Sequence, residues 1–179
     1  MTYSLLGLSG SLRRGASNRK LLSEAARLFD AASFTIADLN LPLYDGDLED
    51  SHGIPEPVQS LSDQIAAADA VVISTPEYNK GPSGVLKNAL DWISRTSGNP
   101  WRDKPVAVMS AAAGRAGGER AQATLRGFMV PFQPRLLSGP AVHLAASNDA
   151  FDDNGHLISA AYSKAVQTLM DRLRVEIGR

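Results

Sequence analysis

The sequence predicts one α/β domain, a three-layer α/β/α sandwich around a five-stranded parallel sheet. Three observations lead there. Five short apolar or β-branched runs alternate with stretches whose apolar residues recur at helical spacing. The connections between them are too short to hold a further domain. The whole chain, 179 residues and 19.0 kDa, has the bulk of a single core, so the domain is read as 1–179 with no internal repeat or linker.

Leu5 to Leu8 form the first strand, closed by Ser9-Gly10-Ser11. From Asn18 the apolar positions Leu21, Leu22, Ala25, Leu28 and Phe29 trace a helix. Phe34 to Ala37, aromatic and β-branched, suit a second strand ended by Asp38. The stretch from Leu39 to Pro57 carries prolines and a cluster of acids, and is expected to be a surface loop outside the core. Leu61, Ile65 and Ala68 mark the next helix, and Ala70-Val71-Val72-Ile73 is the continuous run of a strand buried on both faces.

Val85, Leu86, Ala89, Leu90 and Ile93 follow as a helix, Val106 to Met109 as a fourth strand, and Ala121, Leu125, Phe128 and Met129 as another helix. Leu136 to Leu144, broken by Gly139 and Pro140, reads as a ragged fifth strand. Ile158, Tyr162, Ala165, Leu169, Leu173 and Ile177 form the stripe of a long final helix.

Composition removes several functions. Eighteen Lys plus Arg against nineteen Asp plus Glu give a net charge of -1, so nothing advertises nucleic acid or an anionic membrane as partner. The chain has no cysteine, which excludes a thiolate nucleophile, a redox disulfide and cysteine-ligated metal. The first ten residues lack the features of a secretory signal, and no apolar run approaches the roughly 20 residues of a membrane span. The expectation is a cytoplasmic protein with 44% apolar residues gathered in one core.

In a parallel sheet the ligand site lies beyond the carboxyl ends of the strands. After the first strand, Gly10-Ser11-Leu12-Arg13-Arg14-Gly15-Ala16-Ser17-Asn18 opens directly onto a helix. Small residues, a helix start, hydroxyls and a guanidinium make an anion site. A capped turn with Ser17 or Asn18 as N-cap and solvated arginines is the alternative. Neither the Gly-x-Gly-x-x-Gly fingerprint nor a Gly-Lys-Ser/Thr ending is present, so a dinucleotide site is the weaker reading. Asp38, placed to meet a ribose, is more simply a strand terminator.

After the third strand, Thr75 to Gly84 is a loop fixed by prolines and glycines, able to line a flat aromatic ligand with backbone amides and Tyr78, or to be only a structured turn. After the fourth strand comes Ser110 to Gly118, rich in small residues. His52, His143 and His156 have no metal-ligand spacing, and Ser110 lies in no Gly-x-Ser-x-Gly elbow, so neither a metal site nor a hydrolase triad is expected.

Gly10-Ser11-Leu12-Arg13, Pro76-Glu77-Tyr78-Asn79 and Leu86-Lys87-Asn88-Ala89-Leu90-Asp91-Trp92 together resemble the NADPH-dependent FMN reductase family, the flavodoxin-like group that includes quinone, chromate and azo-dye reductases. The stretch from Leu39 to Asp45 and the glycines at 114, 117 and 118 are similar as well. The resemblance implies FMN as bound cofactor and NADPH or NADH as donor. Electrons would pass through the flavin to a quinone or similar small acceptor, with no catalytic side chain needed.

The same resemblance implies that Ser11, Arg13, Ser17 and Asn18 hold the phosphate, with Leu12 among the cofactor-binding residues. Pro76, Glu77, Tyr78 and Asn79 would line the isoalloxazine, and Ala111 to Gly114 would close its other edge. It implies a homodimer or homotetramer, with Lys87, Asp91 and Trp92 serving architecture or a subunit contact. Two departures stand out. Many members have Ser directly after the loop glycine, where this chain has Ala16 and then Ser17. A hydroxyl common in the family near 111 and 112 is replaced by alanines, so contacts there would come from backbone. An electron carrier or a flavin-binding module without activity is the alternative, and the near-neutral charge argues against the carrier.

Overall fold

The computed structural model describes residues 2–179. A parallel sheet runs through the middle in the order β2-β1-β3-β4-β5. Its strands are β1 (Ser4–Ser9), β2 (Ser33–Ile36), β3 (Ala70–Thr75), β4 (Pro105–Ala111), β5 (Arg135–Leu136) and β6 (Val142–Leu144). The helices are α1 (Ser17–Phe29), α2 (Gly46–His52), α3 (Glu56–Ala67), α4 (Gly84–Ile93), α5 (Glu119–Met129) and α6 (Ala160–Ile177). This strand order is the flavodoxin-like one, in which the chain reverses direction across the sheet between β1 and β3.

Every residue of β3 and β4 is buried, as their unbroken apolar runs require of central strands covered on both faces. Alternation then divides the core. Leu6, Leu8, Val71, Ile73, Val106 and Val108 pack with α3, α4 and α5, around the fully buried Trp92 and Trp101. Leu5, Val72, Ala107 and Met109 face the other way, beneath α1 and α6. The amphipathic stripes of α1 (Leu21, Leu22, Ala25, Phe29) and α6 (Val166, Leu169, Met170, Leu173) are at most 2% exposed.

Three expectations are corrected. The stretch from Leu39 to Pro57 is not wholly a surface loop. Asp45 accepts the amide N–H of Asp47 and starts α2, whose first-turn acids Asp47 and Glu49 suit the positive end of a helix. No residue of α2 is buried, so the helix left no apolar periodicity to read. Leu39 is 3% exposed and Leu41, Leu48 and Ile54 pack against the core, because Trp92 Nε1 and Asn88 Nδ2 both donate to the Pro42 carbonyl and draw the segment inward.

The ragged fifth strand is two short pieces. β5 pairs with the start of β4 and β6 with its end, and Gly139-Pro140 lies between them. Finally, Ile158 is 65% exposed and precedes α6; Ser159 provides the cap, accepting from Tyr162 N–H.

Candidate functional site

At the carboxyl ends of β1, β3 and β4 the three loops converge on a cleft of about 330 Å³, within the range of small-molecule sites. Ser11, Arg13, Gly15, Ala16, Ser17 and Asn18 form one wall. Pro76, Glu77 and Tyr78 form the second, and Ala111 to Ala113 with Ser147 and Asn148 the third. Leu12, Asn79 and Gly114 do not line it. Other surface depressions are larger, 430 to 490 Å³, but they lie at the amino end of β5, along α1 and on α3, away from the strand ends.

The loops are held together from inside. An added Cβ at Gly10 would stand 2.7 Å from Pro76 Cδ and 2.8 Å from Leu86 Cδ1, so only glycine lets the first loop lie against the third strand's exit. Gly10 N–H donates to the Ser74 carbonyl at 2.9 Å. Asn18, 4% exposed, is the central tie. Its Nδ2 donates to the Ala111 carbonyl at 3.0 Å, and its Oδ1 accepts from Ala111 N–H at 3.1 Å and from Ser74 Oγ at 2.8 Å. One side chain thus joins α1, β3 and β4.

The start of α1 departs from the capped turn. Its N-cap is Ala16, with no side-chain cap, and Ser17 Oγ donates instead to the Ser147 carbonyl at 3.1 Å. The backbone N–H groups of Gly15, Ser17 and Asn18 have no partner in the described chain. Unpaired amides at the positive end of a 13-residue helix, beside the Arg13 guanidinium, are what a phosphate takes.

Glu77 has another role than its place in the motif implies. Its Oε2 accepts from the N–H groups of Arg120 and Ala121, each at 3.1 Å, and so caps α5, whose N-cap Gly118 has no side chain to do it. Only its backbone and stem remain to line the cleft. Beyond it, Tyr78 and Gly81 exchange backbone hydrogen bonds around Asn79 and Lys80, whose φ angles of 51° and 68° give the tight left-handed turn. That turn carries Asn79 away and leaves Tyr78 54% exposed at the cleft.

On the third wall, the backbone contacts expected of Ala111 are already used. Its N–H and carbonyl belong to Asn18, and Ala112 N–H and carbonyl pair with Leu144 and Ser147. The amides without a chain partner are those of Ala113 and, across the cleft, Glu77. Gly117 carries the shape of this loop: at φ 58°, its added Cβ would come within 2.4 Å of the His143 backbone.

Ser147 and Asn148, in the 3₁₀ turn after β6, are cleft residues that sequence reasoning missed. Their signal was position alone, a polar pair following the fifth strand. Asp38 accepts from Asn40 N–H and simply turns the chain after β2. Among the described residues, His52, His143 and His156 are not part of any group that could hold a metal.

The cleft lies at the carboxyl ends of a flavodoxin-like sheet, where the strand order reverses and such sheets bind their ligands, and the class of protein is a flavodoxin-like α/β domain with a strand-end ligand cleft. Residues 3–149 match the NADPH-dependent FMN reductase family, and the chain belongs to it. It is similar to an NAD(P)H-dependent FMN reductase of Pseudomonas aeruginosa, 40% identical over 177 residues, 98% of this chain and 95% of that one. A 2-hydroxy-1,4-benzoquinone reductase of a Burkholderia species is 37% identical over 96% of this chain and 94% of its own length. The structure of FerB, a flavoenzyme NAD(P)H:(acceptor) oxidoreductase of Paracoccus denitrificans, superposes with a TM-score of 0.88 at 31% identity, covering 99% of this chain and 98% of that one. The family and these relatives make the chain an FMN-dependent NAD(P)H oxidoreductase.

Proposed function

We propose that the chain holds FMN in the strand-end cleft and passes reducing equivalents from NAD(P)H to a quinone or a similar small acceptor. The observation that carries this reading is the uncapped start of α1. Three backbone N–H groups and the Arg13 guanidinium are left without a partner where the cleft begins, although a serine side chain close by could have capped the helix. The donor set fits a phosphomonoester: dianionic, with several acceptor oxygens. Ser11 lines the same wall, and its hydroxyl, which accepts from Arg13 N–H, keeps its own proton to donate, whereas that of Ser17 is given to the Ser147 carbonyl.

Pro76, buried and rigid, and Tyr78 give the ring system one apolar wall. The alanines at 111, 112 and 113 give the other, small enough for a flat ligand to approach the backbone. When bound, FMN supplies the chemistry itself, accepting hydride from the nicotinamide and reducing the acceptor. The chain's part is electrostatic and steric. The free amides of Glu77 and Ala113 offer hydrogen bonds to negative charge on a ring bound between them. The wall opposite Tyr78 is built of three alanines, so donor and acceptor can use one opening in turn. No side chain is needed as a proton shuttle.

The reading includes a cytoplasmic setting, where reduced nicotinamides are held, and a homodimer or homotetramer. No helix of the described residues is long and apolar enough to cross a membrane. Leu43, 81% exposed, and Tyr44, 39% exposed and edge-on to Trp92, form an apolar surface that a second copy would cover. The test is uptake of FMN followed by steady-state oxidation of NAD(P)H with a quinone. Stoichiometric flavin and parallel double-reciprocal lines are expected. Protein that stays colourless with added FMN, or intersecting lines that demand a ternary complex, would overturn it.

A further inference from the structure

Beside the cleft, along the outer side of α1, lies a separate depression of about 470 Å³. Arg14, Arg19, Lys20 and Arg27 contribute four cationic groups to its lining, in a chain whose net charge is -1. The one carboxylate there is Glu24, whose side chain is 1% exposed. Arg27 clasps it with Nε at 2.7 Å and Nη2 at 2.9 Å, and His156 Nδ1 lies 3.1 Å from it. Leu157 N–H donates to it as well. The hydrogen bonds from Arg27 hold its pKa below the ordinary glutamate value, so it stays a carboxylate and Arg27 stays bound to it.

Arg27 is therefore spent on the floor, and no exposed carboxylate lines the depression; the nearest in the bounding loop, Asp152, accepts from the N–H groups of Asn154 and His156. The guanidinium groups of Arg14 and Arg19 have no hydrogen-bond or ionic partner among the described residues; Arg19 bonds only through its backbone, to Ala16 and Ser23. Lys20 has only the face of the Phe151 ring, 5.7 Å away. Arg14 sits between Arg13 and Gly15, both of which line the flavin cleft. Consecutive Cα atoms are about 3.8 Å apart, so the depression begins one residue from the cleft.

We propose that this depression seats the 2′-phosphate of the nicotinamide donor, with Arg14 and Arg19 as its main partners, and thereby makes the chain selective for NADPH over NADH. The inference rests on the reading that a nicotinamide donor enters the neighbouring cleft. A phosphomonoester dianion matches the planar forks of two guanidinium groups, and Lys20 adds a third charge. The opening holds one such group with its ribose, and the chain's overall charge gives no reason to expect a long polyanion. Arg14 stands outside the flavin cleft, which separates its role from that of Arg13.

The experiment compares adenosine 2′,5′-bisphosphate with adenosine 5′-monophosphate by titration calorimetry at one salt concentration. The proteins are wild type, Arg14→Ala, Arg19→Ala and the double variant, each as the full chain. Wild type should bind the bisphosphate at least about tenfold more tightly. Each single variant should narrow the gap, and the double variant should close it. With FMN loaded, the ratio of kcat/KM for NADPH to that for NADH should fall by a similar factor. Equal binding of the two nucleotides by wild type overturns the proposal, as does a gap that survives in the double variant. If FMN were not taken up at all, the proposed function would fail, but the nucleotide titration would still decide the subsite.

Discussion

Replacing Asn18 by alanine should destabilise the chain before any cofactor is considered, because that side chain joins three elements of the site. Asn18→Ala removes the bonds to the Ala111 carbonyl, from Ala111 N–H and from Ser74 Oγ, at 3.0, 3.1 and 2.8 Å. All three partners are at most 2% exposed. A hydrogen bond contributes about 1 kcal/mol net, and leaving buried partners unpaired raises that figure. The loss should be roughly 3 kcal/mol, with water entering from the cleft keeping it below the full desolvation cost. Ser74→Ala breaks one of the three and should cost about 1 kcal/mol. Urea denaturation of flavin-free protein measures both, since bound FMN would add its own stabilisation. If Asn18→Ala lay within about 0.5 kcal/mol of wild type, or Ser74→Ala cost as much as Asn18→Ala, the side chain would not be the tie described.

Two further outcomes follow from the same contacts. Glu77→Ala should cost about 1 kcal/mol through the lost cap on α5, and should weaken FMN binding by loosening a wall of the cleft; urea midpoints and flavin titration check it. The pKa of Glu24 is lowered in the folded chain, first by Arg27 and then by His156, so its contribution to stability is full above the unfolded glutamate value of about 4.3. That contribution is lost as pH falls through the lower folded value. Between pH 6 and about pH 3 wild type should lose more stability than Glu24→Gln, and parallel profiles would refute the assignment.

The fold was legible because its strongest signals are periodic. β3 and β4 read as strands since nothing in Ala70–Thr75 or Pro105–Ala111 faces water, and α1 read as a helix since its buried residues recur on one side. What escaped was built by hydrogen bonds. α2 rests on the Asp45 cap, and Leu39 and Leu41 are drawn inward by side chains of α4 that grip the Pro42 carbonyl. Sequence spacing carries no trace of either.

The site divides in the same way. That three loops meet at one end of the sheet followed from topology, and the motif residues Ser11, Arg13, Ser17, Pro76 and Tyr78 do line one cleft. Motif membership did not separate side chains open to the cleft from side chains holding the loops. Asn18 and Glu77 lie in the flavin motifs, yet their side-chain polar atoms bind protein backbone and Ser74. That distinction depends on long-range pairing, such as the 93 residues between Asn18 and Ala111.

Paired dissociation constants for FMN and riboflavin decide whether the open start of α1 and Arg13 grip a phosphate. Wild type, Arg13→Ala and Arg14→Ala are titrated with each flavin at one fixed salt concentration. A charge-assisted hydrogen bond to phosphate is worth about 1.5 to 3 kcal/mol, so Arg13→Ala should bind FMN about ten- to a hundredfold more weakly or somewhat worse. Riboflavin, which has no phosphate, should bind wild type and Arg13→Ala almost equally, and Arg14→Ala should hold FMN like wild type. Wild type that binds riboflavin as tightly as FMN, or Arg13→Ala that weakens both flavins alike, would mean that no phosphate is held there.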